Sequence, residues 1–302
     1  MKTESPLVSI GLPVYNGENY VAEAIQCVRN QTFCNWELII CDNSSTDGTV
    51  ALCRHLADQD SRIRVYQNPR NMGVSFNYNE VFRRSQGKFF KWAAHDDLFA
   101  PRFIERCVAE LDEDQRVVLV FPKLSYIDTD GNVLRRQASE LSVLGSTVES
   151  RAKQFMKLAA QGTDFLWLAY GLFRRNVLAE TGAMGLYAGD DQVLLFKIAL
   201  LGDIKQIDEE MFFRREHREA STCKRGSTVR ERAKFAYADD NRRLVLPWCH
   251  LLKEHLSCVL RTPISFWSRL GCATAVLRRF LGLWKFFVEE AIHSPLDALR
   301  SK

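Results

Sequence analysis

The chain has 302 residues, 46% hydrophobic and 26% charged, enough for a soluble core in one large α/β domain or a domain with a smaller appendage. No apolar run approaches bilayer length, and nine scattered cysteines show neither a C-x-x-C pair nor a Cys/His ligand spacing, which excludes the common cysteine metal sites. The net charge of +4 is uneven: residues 224–302 carry 15 Lys/Arg against 7 Asp/Glu, the remainder 26 against 30. An acidic body with a basic tail suits an anionic partner such as a membrane surface or phosphate groups, or simply a solvated helical surface. The odd cysteine count and the lack of a leader pattern point to a reducing cytoplasm. Cys27, Cys53 and Cys107 fall on apolar helix faces, where Cys acts as a small hydrophobe.

Residues 7–12 read as a buried strand stopped by Pro13. A turn over 13–18 follows, then Val21, Ala24, Ile25 and Val28 at helical spacing. Such a β-turn-α start can bind a nucleotide. Gly17, however, precedes Glu18 rather than a Lys and a hydroxyl residue, and no G-x-G-x-x-G occurs, so kinase and dinucleotide readings lose their usual support. A second strand over 36–41 ends at Asp42. That carboxylate can accept hydrogen bonds from a nucleobase imide or a ribose hydroxyl, or merely organise its own turn. In the loop 42–49, Thr46 and Asp47 read as N-caps of a helix that buries Val50, Cys53 and Leu56. A third strand over 63–66 breaks at 68–71, where Arg70 offers a charge for a phosphate, and Phe76, Val81 and Phe82 mark the next helix.

The stretch 88–98 organises the rest. An aromatic-rich strand over 88–94 stops abruptly at His95, Asp96 and Asp97, and Pro101 opens a helix burying Phe103, Ile104, Cys107, Val108 and Leu111. Strands that end in acids put carboxylates at the carboxyl edge of a sheet, where α/β folds bind ligands. Two adjacent carboxylates are costly to desolvate unless a cation joins them, and a hard divalent ion completed by phosphates and water would do so. The alternative is a solvated Asp-Asp turn. A fifth strand over 117–121 completes four β-α alternations, which implies a mostly parallel sheet sandwiched by helices.

Residues 128–132 resemble a hairpin tip, and 165–173 reads as another strand. Gly189, Asp190 and Asp191 then precede Val193, Leu194, Phe196, Ile198 and Leu201, a second carboxylate pair at a helix N-terminus. There the helix dipole keeps a carboxylate ionised, as a general base needs, although capping alone also explains Asp190. A strand over 204–213 leads to Arg214, Arg215 and His217, groups suited to a diphosphate or, equally, to a solvated loop. From Val229 the pattern is helical and basic. Leu270, Ala273, Leu277, Phe280, Trp284, Phe287 and Ala291 form an apolar stripe that reads as core against the body. Trp267, Trp284 and the basic flank leave an interfacial helix open.

Taken in order, residues 8–17, the 42–49 loop, Asn71-Met72-Gly73, the His95-Asp96-Asp97 strand end and the Asp190-Asp191 pair resemble the motifs of family 2 glycosyltransferases, over about residues 7–221. The resemblance implies a GT-A fold over 1–222 with a helical, basic extension over 223–302. It also implies a nucleoside-diphosphate sugar donor, a divalent metal (Mn2+ or Mg2+) and inversion at the anomeric carbon. By position, Pro13 and Tyr15 would line the nucleoside pocket and Asp42 would bond the base. Arg70 and Asn71 fall in a donor-binding loop. Asp96 would sit near ribose or metal, Asp97 would be the likelier metal ligand beside it, Asp191 the general base with Asp190 competing for that role, and His217 a neighbour of the diphosphate. Two departures stand out: the family carries another acid where this chain has Ala94, and a Glu-Asp pair where it has Asp190-Asp191.

The expected activity is transfer of a sugar to an acceptor hydroxyl in polysaccharide or glycolipid biosynthesis. The acceptor would be a carbohydrate or lipid-linked, without nucleic acid, in the cytoplasm and peripheral on the inner face of the membrane. Two alternatives remain. A sugar nucleotidyltransferase would need the glycine-rich basic loop that 13–18 lacks. A non-catalytic nucleotide-sugar-binding partner of polysaccharide assembly draws its support from Ala94.

Overall fold

A computed structural model describes residues 5–162, 164–185, 187, 189–217 and 246–288. The helical pattern expected from Val229 to 245, the loop after His217, and Ala291 lie outside the described residues.

The first half alternates as its hydrophobic periods require: β1 Val8–Val14, α1 Val21–Arg29, β2 Trp36–Asp42, α2 Thr49–Ala57, β3 Ile63–Gln67, α3 Val74–Arg83 and β4 Phe89–Trp92. β1, β2 and β4 are buried at every position, which is why they read as continuous apolar runs rather than alternating ones. A two-residue strand, β5 Leu98–Phe99, precedes α4 Phe103–Glu113. β6 Val117–Ile127 extends six residues beyond the expected strand and turns through the predicted hairpin tip into β7 Val133–Arg136. Asp128 shapes that tip by accepting from the backbone N–H groups of Asp130 and Asn132. α5 Val148–Gln161 follows.

The strand expected over 165–173 is not one. Residues Asp164–Tyr170 form a 3-10 helix, and only β8 Leu172–Arg174 pairs with the sheet. Phe165 and Leu168 are buried one 3-10 turn apart, a period that a short apolar run does not reveal. α6 Arg175–Thr181, α7 Asp190–Leu201 and β9 Asp203–Arg215 follow, and then α8 Pro247–Arg261 and α9 Phe266–Leu281.

The sheet runs β3-β2-β1-β4-β8-β6-β9-β5, with β7 on β6. β1, β2, β3, β4, β6 and β9 point one way, and β5, β7 and β8 the other, so the sheet is mostly parallel as expected. The chain leaves β1 towards β2 and β3 and returns to β4 on β1's other side. That reversal opens a crevice at the carboxyl ends of β1 and β4, where His95, Asp96 and Asp97 emerge. One core runs through both helical layers, and buried Leu251, Val259, Val276 and Phe280 bring α8 and α9 into it.

Candidate active site

A cleft of about 870 Å³ occupies this crevice. Its walls come from the β1–α1 turn, the strand end 94–97, α3, the 3-10 helix and the end of β9. Pro13, Tyr15, Asn71, Asp96, Asp97 and His217 line it. Asp42, Arg70, Asp190 and Asp191 do not. The volume suits a small-molecule ligand.

At the acidic end, the two adjacent carboxylates are held differently. The Asp97 side chain is 3% exposed, and its Oδ1 accepts the Arg215 backbone N–H at 3.0 Å and lies 3.6 Å from Arg214 Nη1. The Asp96 side chain is 14% exposed, and its Oδ2 is 3.0 Å from His217 Nε2. Burial and then the Asp96 charge push the Asp97 carboxyl up, to about 7. Burial also acts against ionised Asp96, but the His217 hydrogen bond and the surrounding cations outweigh it and leave that carboxyl low. Arg215, 2% exposed, braces this strand end. It donates to the carbonyl of Asp96 at 3.1 Å, to that of Thr129 at 2.6 Å and to Glu23 Oε2 at 2.6 Å, tying β9, the hairpin tip and α1 to the acidic pair. Gly17 matters here because a Cβ on it would lie 2.6 Å from the His95 ring, so only glycine lets the β1–α1 turn close over that side chain.

The nucleoside side as expected from the sequence is built from asparagines. Asn43 follows Asp42, lines the cleft, and donates to Asn71 Oδ1 at 2.9 Å. Its own Oδ1 accepts from Met72 N and Asn68 Nδ2. Asn77 of α3 accepts from Asn68 and donates to the Cys41 carbonyl. This network fixes the exits of β1, β2 and β3 relative to one another. Asp42 is fully buried: Oδ2 accepts from Ser45 N at 3.0 Å, and Oδ1 has no hydrogen-bond partner among the described residues. A buried orphan acceptor is costly, and a ligand donor is one way to satisfy it. Asp47 accepts from Thr49 N and Thr49 Oγ1, organising its own turn, while Gly48 holds the cap position of α2. Arg70 is exposed in the turn after β3.

The second carboxylate pair opens α7. Asp190 Oδ2 accepts from Ser75 Oγ at 2.7 Å, and its Oδ1 accepts from Asp191 N. Asp191 Oδ1 accepts from Gln192 N at 2.7 Å. Burial, rather than the helix dipole, dominates both groups. It raises Asp191, and with the Asp191 charge it raises Asp190 to about 7. A carboxylate nearer neutrality is a stronger base than one held at its ordinary value.

Sequence reasoning did not single out Asn43, Asn77, Tyr78, Trp167 or Tyr170. The Tyr78 and Tyr170 hydroxyls meet at 2.8 Å, and Trp167 lies under Arg214, whose guanidinium carbon is 4.7 Å from the ring centroid. Trp167 and Tyr170 are concealed by reading 165–173 as a strand. The asparagines left a signal in their recurrence at 43, 68, 71 and 77 around strand exits.

No three His, Cys, Asp or Glu side chains converge on a metal position among the described residues. A hard divalent ion needs only one or two carboxylates when phosphates and water complete its shell, and the confined Asp96–Asp97 oxygens supply that donor set. The pair therefore fits such an ion.

Residues 9–182 match the family model described as glycosyl transferase family 2. An uncharacterized glycosyltransferase of Rickettsia typhi is 36% identical over 133 residues, 44% of this chain and 41% of that protein. The chondroitin synthase of Pasteurella multocida is 30% identical over 129 residues, 43% of this chain and 13% of its own length. The chain thus spans less than half of each of these relatives. Among solved structures, S. aureus TarS 1-349 in complex with UDP-GlcNAc aligns with a TM-score of 0.66 at 16% identity, covering 91% of this chain and 72% of that one. The mannosyltransferase PcManGT from Pyrobaculum calidifontis, in complex with GDP-Man and Mn2+, aligns with a TM-score of 0.54 at 16% identity, covering 98% and 87%. These two share the fold.

Proposed function

The chain belongs to glycosyl transferase family 2, and on that premise we propose that it transfers a sugar, with inversion, from a nucleoside-diphosphate sugar to an acceptor hydroxyl in polysaccharide or glycolipid biosynthesis. The observation that carries this reading is the cleft at the sheet's reversal point, with Asp96, Asp97 and His217 at one end and the Asn43–Asn71 loops at the other. The nucleotide sugar held by the TarS structure and the GDP-Man and Mn2+ held by PcManGT support a donor of that class.

In this proposal Pro13 and Tyr15 flank the nucleoside, and the unpaired Asp42 Oδ1 accepts from the base. Asn71 organises the same pocket, and Arg70, exposed in the turn beside it, offers a charge to the donor phosphates. A divalent ion, Mn2+ or Mg2+, would be held by Asp96 and Asp97 together with diphosphate oxygens and would neutralise charge on the leaving group. Asp96 is the more accessible of the two. His217 donates to the diphosphate region and orients Asp96 through their shared hydrogen bond. Asp191 takes the acceptor hydroxyl proton, because Asp190 is committed to Ser75 and to the backbone. The acceptor is a carbohydrate or lipid-linked, and the C-terminal helices contact the membrane peripherally.

Calorimetric titration of nucleoside-diphosphate sugars, with Mn2+ and with chelator, tests donor and metal together. One donor should bind, and more weakly without metal. Asp191→Ala should then lower turnover by about two to four orders of magnitude while donor affinity is kept. Near-normal turnover in that variant would transfer the base role elsewhere, and binding of no donor would reject the transferase reading.

A further inference from the structure

The outward face of the C-terminal helices is apolar. Along α9 and the helical turn at 284–288, Leu270, Leu277, Leu281, Trp284 and Val288 recur every three to seven residues, between 45% and 70% exposed. Trp267, 75% exposed, and Phe266, 67% exposed, extend the patch at the start of α9, and Leu260 of α8 is 66% exposed. The opposite arc of α9, with Cys272, Val276 and Phe280, is buried against the body. The stripe expected to be core is thus split: among its described residues Leu270, Leu277 and Trp284 face outward. An apolar patch of this kind on a folded surface marks a contact site.

Its rim is cationic. Residues 247–288 hold six Lys/Arg and a single acid, Glu254, and Arg261, Arg278 and Lys285 are exposed. We propose that this face docks on an anionic lipid bilayer. The Trp and Leu side chains enter the headgroup–acyl boundary, and the Arg and Lys side chains meet lipid phosphates. Charge selects this occupant over two others. A second copy would bring two cationic faces together, which like-charge repulsion opposes. The chain's own 218–245 segment carries eight Lys/Arg against four Asp/Glu, again the same sign.

The position of the face has a consequence for acceptors. α8 lies between α9 and the start of α7: a Cβ on Gly189 would lie 2.8 Å from Leu251, and the Tyr187 and His250 rings are 4.6 Å apart. A bilayer on α9 is therefore one helix away from Asp190 and Asp191. That the membrane presents a lipid-linked acceptor rests on the transferase reading; the docking face itself stands on exposure and charge alone.

The test is co-sedimentation of the full chain, without substrate, with vesicles of phosphatidylcholine alone or mixed with phosphatidylglycerol. The chain should pellet with the anionic vesicles and be released by salt. Arg278→Gln with Lys285→Gln should weaken partition about 25-fold, roughly fivefold per charge. Trp267→Ser with Leu270→Ser and Leu281→Ser should weaken it more than about tenfold. All these side chains point outward, so melting temperatures should be unchanged. Equal partition of the wild type and both variants overturns the proposal, as does indifference to phosphatidylglycerol. A dimer in light scattering that the Trp267/Leu270/Leu281 variant dissociates would instead make a second copy the occupant. Donor calorimetry on the same preparations reports independently on the transferase reading.

Discussion

Lys91 sits in the middle of β4 with no exposed surface, its ammonium donating to the Tyr170 carbonyl with the Phe103 and Phe99 ring centroids 4.2 and 4.9 Å away. Burial among these rings drives its pKa from the ordinary 10.5 down to about 7. In the unfolded chain the amine stays protonated up to its ordinary value, so between about pH 7 and 10 the unfolded state binds more protons than the folded one, and stability rises with pH. Relative to Lys91→Met, the wild type should gain up to about 1.4 kcal/mol per pH unit across that window. Urea midpoints of both proteins at pH 7 and pH 9.5 measure it, and a constant difference would mean that Lys91 is charged in the fold. In sequence, Lys91 is one polar residue in an aromatic strand, and nothing near it says that the sheet buries both faces. The acids at 96 and 97 were legible for the opposite reason: a strand that ends in carboxylates has one place to put them. How differently the two carboxylates are held was not legible, because Arg214 and Arg215 arrive from a strand more than a hundred residues away.

At the scale of elements, the start of α7 shows how helix packing sets a site. Gly189 has φ of 84°, a left-handed conformation, and a Cβ there would lie 2.8 Å from Leu251 of α8. Gly189→Ala therefore both strains the turn and pushes α8 from α7. Asp190 and Asp191 follow directly, so their carboxylates should shift while the cleft that binds donor stays intact. The expected result is a fall in turnover of about tenfold or more, as a small displacement of reacting groups gives, with donor affinity by calorimetry unchanged. An equal loss in both would place Gly189 in general stability instead. The helix itself was readable from Val193, Leu194, Phe196 and Ile198; its contact with α8 was not, since that contact joins segments some sixty residues apart. The 3-10 helix Asp164–Tyr170 was misread for a local reason. A six-residue apolar run with aromatics satisfies strand and helix periods alike, and tertiary packing of Phe165 and Leu168 decides.

Across the whole molecule, the half built from β-α alternation was legible, and in the other half the hairpin tip, α7 and β9 were legible but the strand pairing was not. β1 to β4 follow from periodicity and short crossovers. β8 inserts between β4 and β6, and β5 pairs with the far end of β9, both through non-local pairing that leaves no local mark. The C-terminal helices raise the matter of division. The sequence suggests a boundary near residue 222, yet Cys258, Val259, Cys272, Val276 and Phe280 are buried in the same apolar cluster as Phe196 of α7. His255 lies between the Phe196 and Phe280 rings, 5.1 and 5.3 Å from their centroids. We expect residues 246–288 to be integral to the fold rather than a detachable extension. Each large apolar side chain uncovered costs roughly 1.5–3 kcal/mol, so deleting this region should remove more than about 5 kcal/mol, comparable to the whole stability of an ordinary domain. The truncated chain should then be insoluble or melt far below the full one, and Phe280→Ala alone should cost about 3–5 kcal/mol in urea unfolding. A truncated chain that melts like the full protein and binds donor equally well would show that the boundary near 222 separates two folding units, and that α8 and α9 serve only the surface they present.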